Sequence, residues 1–119
     1  MKSYIDLDVW KNSRRLVKKI YLVTMAFPKE EIYGLTGQMR RSSVSIPSNI
    51  AEGHGRKHAK ESLHFFYFGR GSLYELETQT FVSFDLEYIN QEKLTELSND
   101  ITECKKMLNG LIRYYETLI

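Results

Sequence analysis

The sequence has one cysteine, two prolines and no long apolar run in its 119 residues. A single cysteine, Cys104, can form neither an internal disulfide nor a cysteine zinc site, which excludes the disulfide-rich secreted class and leads us to expect a cytoplasmic protein. No segment approaches the about 18 apolar residues that a membrane span needs. The first residues lead into Asp6 and Asp8 rather than into an apolar signal core, so we expect no targeting segment and no membrane partner.

The net charge is also small. The chain has 17 Lys and Arg against 15 Asp and Glu, a total of +2, whereas domains that bind nucleic acid usually show a basic excess. The charges are unevenly distributed, because residues 1–28 carry +4, residues 29–70 carry +3 and residues 71–119 carry −5. The small total is therefore a cancellation between a basic first part and an acidic last part.

Apolar side chains recur at helical spacing in four stretches, which predicts an all-α protein with four helices. The last stretch is the clearest, with apolar residues every three or four positions at Leu94, Leu97, Ile101, Cys104, Leu108, Leu111, Tyr115 and Leu118. Three short connections between long helices predict antiparallel neighbours, and hence an up-down-up-down four-helix bundle. The length predicts that residues 1–119 form a single domain.

Polar residues, prolines and glycines predict the helix boundaries. Asp6 or Asp8 is expected to cap the first helix, and Pro28 to begin the second. Pro47 lies inside the second helix, where it removes one backbone hydrogen bond and crowds the preceding turn, so we expect a kink there. The segment 53–55, Gly-His-Gly, should end this helix with a glycine in the left-handed conformation.

The third helix has more apolar surface than one bundle needs. Its main face is accompanied by aromatic residues on other sides, at Phe65, Tyr67, Phe68, Tyr74 and Phe81. A helix that is apolar nearly all round is buried on more than one side, so we expect a second subunit and a homo-oligomer. Gly69 and Gly71 lie inside this helix, where glycine is unfavourable, and we interpret both as sites of close helix approach.

No catalytic or metal-binding motif is present. His54, His58 and Glu61 have a loose metal-ligand spacing, but the glycines beside His54 break the helical face, so solvated loop histidines are the preferred interpretation. The candidate catalytic residues of an enzyme hypothesis are Asn49, Glu52, His54 and Arg56. They do not provide a nucleophile, a base and an orienting group. We therefore expect no enzyme, no cofactor and no metal.

Basic residues form the most informative pattern. Four lie at positions i, i+3, i+4 and i+7 of the first helix, opposite its apolar side, and three more lie near the second helix; together these predict a nucleic-acid-binding set of Lys11, Arg14, Arg15, Lys18, Arg40, Arg41 and Arg56. Like charges at this spacing repel, so an acidic neighbour or bound phosphate must offset them. No aromatic residue is interleaved with this set, which predicts low sequence specificity.

Longer motifs run in a fixed order along the chain. They are FPKEE at 27–31, YGLT at 33–36, Gln38, Arg40-Arg41, VSIPSNIAEG at 44–53 and GR at 55–56. Upstream lie DL at 6–7 and VW at 9–10, and downstream lie GSL at 71–73 and ELETQ at 75–79. In this order the sequence resembles the four-helix-bundle family of 23S rRNA intervening-sequence proteins.

The resemblance implies an antiparallel four-helix bundle that assembles as a ring, typically a homopentamer, in the bacterial cytoplasm, and it implies no enzyme. A related branch, the accessory variability determinants of diversity-generating retroelements, forms basic pentamers that work with a reverse transcriptase and nucleic acid. The leading hypothesis is therefore a non-catalytic oligomer that binds RNA or DNA phosphates, with a reverse transcriptase or another protein as a candidate partner. The alternative is an interaction scaffold, a ring without nucleic acid whose basic and acidic parts pair between subunits.

Overall fold

Four long helices account for the four apolar stretches of the sequence. The computed structural model describes residues 3–119, and in this part of the chain it has helices and turns but no strand. The helices are α1, Asp8–Thr24; α2, Leu35–His54; α3, Ala59–Asp85; and α4, Gln91–Glu116. Two 3₁₀ segments, Tyr4–Asp6 and Lys29–Tyr33, precede α1 and α2. The prediction of an all-α, four-helix protein is confirmed.

Each helix packs against two others within the bundle: α2 contacts α1 and α3, and α4 contacts α3 and α1. Contacts between α2 and α3 run in opposite order along the chain, since Met39 meets Ser83 while the later Ser45 meets the earlier Ser72. The same reversal holds between α3 and α4, for the pairs Tyr67–Glu116 and Glu77–Lys105. This reversed order is the order of contacts between antiparallel helices.

The core lies along the axis of the bundle and takes apolar side chains from every helix. Fully buried members from the four helices in turn include Ile20, Met39, Ile46, Leu73, Leu76, Ile101 and Leu108. The predicted apolar seam of α4 is buried from Leu94 to Leu108, whereas Leu118 lies beyond the helix end and is exposed. No helix within residues 3–119 combines the length and the apolar character that crossing a membrane requires.

The start of α1 differs from the prediction. The helix begins at Asp8, but its N-cap residue is Leu7, which offers no side-chain hydrogen bond, so the predicted aspartate cap is wrong. Ser3 caps the preceding 3₁₀ turn instead, because its Oγ accepts a hydrogen bond of 3.3 Å from the amide of Ile5. The helix ends at Thr24, and the amide of Phe27 then donates to the Thr24 carbonyl at 3.1 Å in a tight turn.

The start of α2 also differs. Pro28 begins the 3₁₀ segment Lys29–Tyr33 rather than α2, so the prediction that α2 starts at this proline is wrong. The Glu31 carboxylate instead joins the first turn of α2 to the α3–α4 connection, because its Oε1 accepts from the Leu35 amide at 3.0 Å and its Oε2 from the Tyr88 hydroxyl at 2.8 Å. These bonds favour the charged form and lower the pKa of Glu31, the backbone bond being the larger cause.

The helix α2 continues through Pro47 without breaking, while the kink stays a prediction. It ends in the predicted segment, but the predicted left-handed cap is wrong, because Gly55 has a φ of −80° and no glycine within residues 3–119 has a positive φ. Gly53 is buried, and a Cβ at this position would lie 2.7 Å from Cδ1 of Phe66. The glycine therefore permits the close approach of α2 and α3 rather than a turn.

The helix α3 is apolar on two sides, as predicted. Its inner side is buried through Leu63, Phe66, Leu73 and Leu76. On the opposite side Phe68 and Tyr74 are 55% and 50% exposed. We call this side the α3 outer face and define it by its exposed apolar residues, Tyr67, Phe68, Tyr74, Phe81 and Val82.

The two glycines inside α3 have different surroundings. Gly69 is buried against α2, and a Cβ there would lie 3.5 Å from Cβ of Asn49, an ordinary contact distance. Gly71 is exposed, and a Cβ there would have nothing within 4 Å. No other helix within residues 3–119 approaches Gly71, which lies on the outward side of α3, so close approach there stays a prediction for the assembled protein.

Candidate nucleic-acid interface

Four cations lie on the side of α1 that faces away from the core, and we call them the α1 basic face: Lys11, Arg14, Arg15 and Lys18. All four are exposed, whereas Val9, Leu16 and Ile20 on the opposite side are buried. Within residues 3–119 none of the four forms a salt bridge. The α1 basic face therefore presents four positive charges that can meet an external anion.

Lys19, the next residue along α1, is paired. Its Nζ lies 2.7 Å from Oδ2 of Asp100 and 3.6 Å from Oε2 of Glu96, both on α4. The hydrogen bond to Asp100 raises the pKa of Lys19, and burial opposes this increase. Pairing of the basic first part with the acidic last part within one chain therefore occurs at Lys19, and not at the neighbouring α1 basic face in the described residues.

Aromatic rings lie against three of the predicted cations, so the expectation that none is interleaved with them is wrong. The guanidinium carbon of Arg14 lies 4.8 Å from the centre of the Trp10 ring, which itself meets Tyr4 edge-on at 5.2 Å. The guanidinium carbon of Arg40 lies 4.7 Å from the centre of the Tyr21 ring. The guanidinium carbon of Arg56 lies 4.4 Å from the centre of the Phe65 ring. The prediction failed because Trp10 lies one helical turn before Arg14, and because Tyr21 reaches its arginine across the α1–α2 interface.

The three predicted arginines of α2 lie in different places. Arg40 faces α1, where its Nε donates to Oγ1 of Thr24 at 3.0 Å. Arg56 lies just beyond the other end of α2, about 24 Å away at the helical rise of 1.5 Å per residue, and it pairs with Glu52 at 2.7 Å. Arg41 lies on the side of α2 that faces α3. The structure therefore brings Arg40 to the C-terminal end of α1 and Arg56 to a pocket beside Tyr4, near the N-terminal end of α1, while Arg41 faces α3.

A polar groove between α2 and α3 has no counterpart in the sequence-based site. We call it the α2–α3 groove; its volume is about 510 Å³, and its walls include Gln38, Arg41 and Ser45 from α2 and Ser72, Glu75 and Gln79 from α3. The three named residues of each helix recur at spacings of three and four, and Ser42 of α2 also lines the groove. Two polar stripes at helical spacing are thus the sequence signal that could have indicated the groove.

The residues considered for metal binding or catalysis do not converge. Asn49 donates to the Ser45 carbonyl at 2.8 Å, while Glu52 forms an ion pair with Arg56. In the described part of the chain, residues 3–119, no three His, Cys, Asp or Glu side chains cluster as metal ligands would. Cys104 lies in the core, and burial raises the pKa of its thiol to about 12.

Comparisons with known proteins agree with this fold. A sequence profile of the 23S rRNA-intervening sequence protein family matches residues 5–110. Among solved structures, the chain is similar to a protein of unknown function from the S23 ribosomal protein family of Bacteroides thetaiotaomicron VPI-5482, with a TM-score of 0.81 and 24% identity over 88% of this chain and 95% of that chain. No curated protein matches the sequence. The structural similarity concerns the fold alone, but the profile spans most of the chain, which therefore belongs to the 23S rRNA-intervening sequence protein family.

Proposed function

We propose that the protein is a non-catalytic, oligomeric helical bundle that binds RNA or DNA phosphates through the α1 basic face and Arg40. The supporting observation is that four exposed cations on one helix have no acidic partner within residues 3–119, although the adjacent Lys19 has two. Neighbouring cations repel one another, and a phosphate backbone offsets that repulsion. Arg56 lies in a pocket with Tyr4 near the N-terminal end of α1, and Arg41, on the α3 side of α2, would meet the nucleic acid only where it extends beyond α1.

Filter binding of a single-stranded oligonucleotide at several salt concentrations tests this proposal. Affinity should fall linearly with salt on a logarithmic scale, with a slope of about 0.7 per phosphate contacted on single strands. The double variant Lys11→Glu/Lys18→Glu should bind at least tenfold more weakly and show a shallower slope. Both positions are exposed on α1, so the variant should fold normally.

The matched control reverses two exposed cations on α4, in Lys106→Glu/Arg113→Glu. This variant has the same net charge as the first, but it should bind within about twofold of the unchanged protein if the α1 basic face makes the contacts. Absence of binding at low salt would overturn the proposal. An equal loss of affinity in the two variants would show that net charge, rather than the α1 basic face, determines binding.

A second candidate function is an interaction scaffold that assembles as a ring without nucleic acid. The α3 outer face favours it, because exposed apolar side chains extend over about 22 Å of the helix, from Tyr67 to Val82. Burial against another subunit would remove this surface from water. The resemblance implies a pentamer, and a reverse transcriptase or another protein would be a further partner of such a ring.

Light scattering coupled to size exclusion measures the assembly directly. A mass several times the subunit's 14.0 kDa supports an oligomer, and a monomer would overturn it. Phe68→Glu should reduce the mass, while the matched Thr95→Glu, at an exposed position of α4, should not. If Lys11→Glu/Lys18→Glu keeps the full mass but loses nucleic-acid binding, the scaffold that pairs its basic and acidic parts is contradicted.

A further inference from the structure

The α2–α3 groove has one buried polar atom that residues 3–119 do not satisfy. The side-chain oxygen Oε1 of Gln79 is buried and accepts no hydrogen bond from residues 3–119. Buried polar atoms are normally hydrogen-bonded, and a donor supplied from outside the chain would satisfy this exception.

The rim of the groove carries one cation and one anion. Arg41 on α2 and Glu75 on α3 are both exposed, and neither forms a salt bridge in the described residues 3–119. Deeper in the groove, Ser72 donates to Oγ of Ser45 at 2.9 Å, so the two helices are joined there by hydroxyl groups. The groove thus offers a fork of donors on one wall and a pair of acceptors on the other.

Guanine is the nucleobase that matches this arrangement. Arginine only donates, and its fork pairs with the adjacent acceptors O6 and N7 of guanine. A carboxylate only accepts, and its two oxygens suit the adjacent donors N1–H and N2–H on the pairing edge of guanine. Adenine, cytosine and uracil each lack two adjacent ring and exocyclic N–H donors. Since a base pair occupies that edge, the guanine must be unpaired.

We propose that the α2–α3 groove binds an unpaired guanine, with Arg41 and Glu75 at its two edges and Gln79 beneath. This proposal rests on the proposed nucleic-acid function, since the α1 basic face would hold the phosphates of the same strand. Only α2 separates the groove from α1, and packed helices lie about 8–10 Å apart, so one strand of several nucleotides reaches both. The basic face supplies affinity, and the groove selects the base.

Binding of single-stranded RNA tests the groove. An oligoadenylate with three central guanines should bind about tenfold more tightly than oligoadenylate alone, and annealing its complement should abolish the difference. Glu75→Gln should abolish the preference while retaining oligoadenylate binding. The matched Glu103→Gln, an exposed glutamate on α4, should retain both. Equal binding of the two oligonucleotides, or an unchanged preference in Glu75→Gln, would overturn the groove site and leave the proposed function standing.

Titration with guanosine monophosphate, and with adenosine monophosphate as control, separates the two proposals if neither oligonucleotide binds. Amide chemical shifts around Ser45 and Gln79 should respond to the guanine nucleotide alone. A response without oligonucleotide binding would overturn the phosphate-binding function and keep the groove site. No response from either nucleotide would overturn both.

Discussion

The α2–α3 and α1–α4 interfaces differ in how closely their helices approach. Between α2 and α3, a Cβ at position 53 would lie 2.7 Å from Phe66 Cδ1 and 2.9 Å from the Ser62 carbonyl oxygen. Both interfaces also have an open groove, of about 510 Å³ between α2 and α3 and about 550 Å³ between α1 and α4. At the α1–α4 interface, Leu22 and Leu97 are among the walls of this groove, and Lys19 lies at its polar side. The α2–α3 interface requires a residue without a side chain at position 53, whereas charged side chains bridge the α1–α4 interface, from Lys19 to Glu96 and Asp100.

This difference indicates which of the two interfaces tolerates substitution with the smaller loss of stability. Adding one atom to a closely packed interface lowers the stability of the fold considerably, because protein interiors are packed as densely as organic crystals. Removing one partner of an exposed ion pair lowers the free energy of unfolding only slightly. We therefore expect α2 and α3 to form the rigid half, and α1, which carries the basic face, to be attached less tightly on its α4 side.

Gly53→Ala should cause the largest effect. The added methyl group would overlap the Phe66 ring, and overpacking of this kind costs about 1–3 kcal/mol. Chemical denaturation should show a lower midpoint with an unchanged slope. In a Phe66→Leu background the same alanine should cost less, because the smaller side chain gives way. Equal stability of Gly53→Ala and the unchanged protein would contradict the close approach.

Glu31→Gln probes the junction between the 3₁₀ segment and the α3–α4 connection, away from both interfaces. The folded-state pKa of Glu31 lies below its ordinary value of 4.5, so its contribution is present above that value and is lost as pH falls through the folded-state pKa. The variant should be less stable at pH 7, and the difference should disappear in acid. Glu30→Gln, at an exposed neighbour, is the matched control.

Gly71→Ala should have the opposite sign. Nothing lies within 4 Å of a Cβ at this exposed position, and replacing glycine by alanine inside a helix gains about 0.5–1 kcal/mol. Thermal unfolding of the dissociated subunit measures the increase. A decrease that appears only in the assembled protein would mean that another subunit packs on the α3 outer face near Gly71.

Lys19→Gln should have the smallest effect. Exposed ion pairs contribute about 0.2–1 kcal/mol, and the loss should vanish in high salt, which screens the pairs with Asp100 and Glu96. Lys18→Gln, which breaks no salt bridge in the described residues, is the matched control. If Lys19→Gln destabilised the protein more than Gly53→Ala, the contrast between the two interfaces would be reversed.

The sequence predicted the helices better than their ends. Apolar periodicity located all four helices, because a buried stripe needs no information from elsewhere in the chain. The α2 start was missed because Pro28 favours both an α-helix and a 3₁₀ turn, and the bond between Glu31 and Tyr88 that defines the junction joins distant residues. Gly53 was misjudged for the same reason, since the partner helix decides whether a glycine is needed.

The candidate site was predicted in part. The α1 basic face follows directly from spacing along one helix, and the structure places it on the solvent side. Adjacent positions 40 and 41 look equivalent in the sequence, yet a helical turn of 100° per residue directs Arg40 to α1 and Arg41 to α3. The stacking of Tyr21 on Arg40 depends on two helices and could not be found within either one.

By itself, the sequence determined the helical class, the family, the two-sided apolar character of α3 and the basic face of α1. These properties depend on residue types and their period along one chain segment. Only the tertiary structure decided that Lys19 is paired, that Gly53 admits Phe66, and that two polar stripes meet in the α2–α3 groove. Each of these joins residues far apart in the chain, and packing of the four helices brings them into contact.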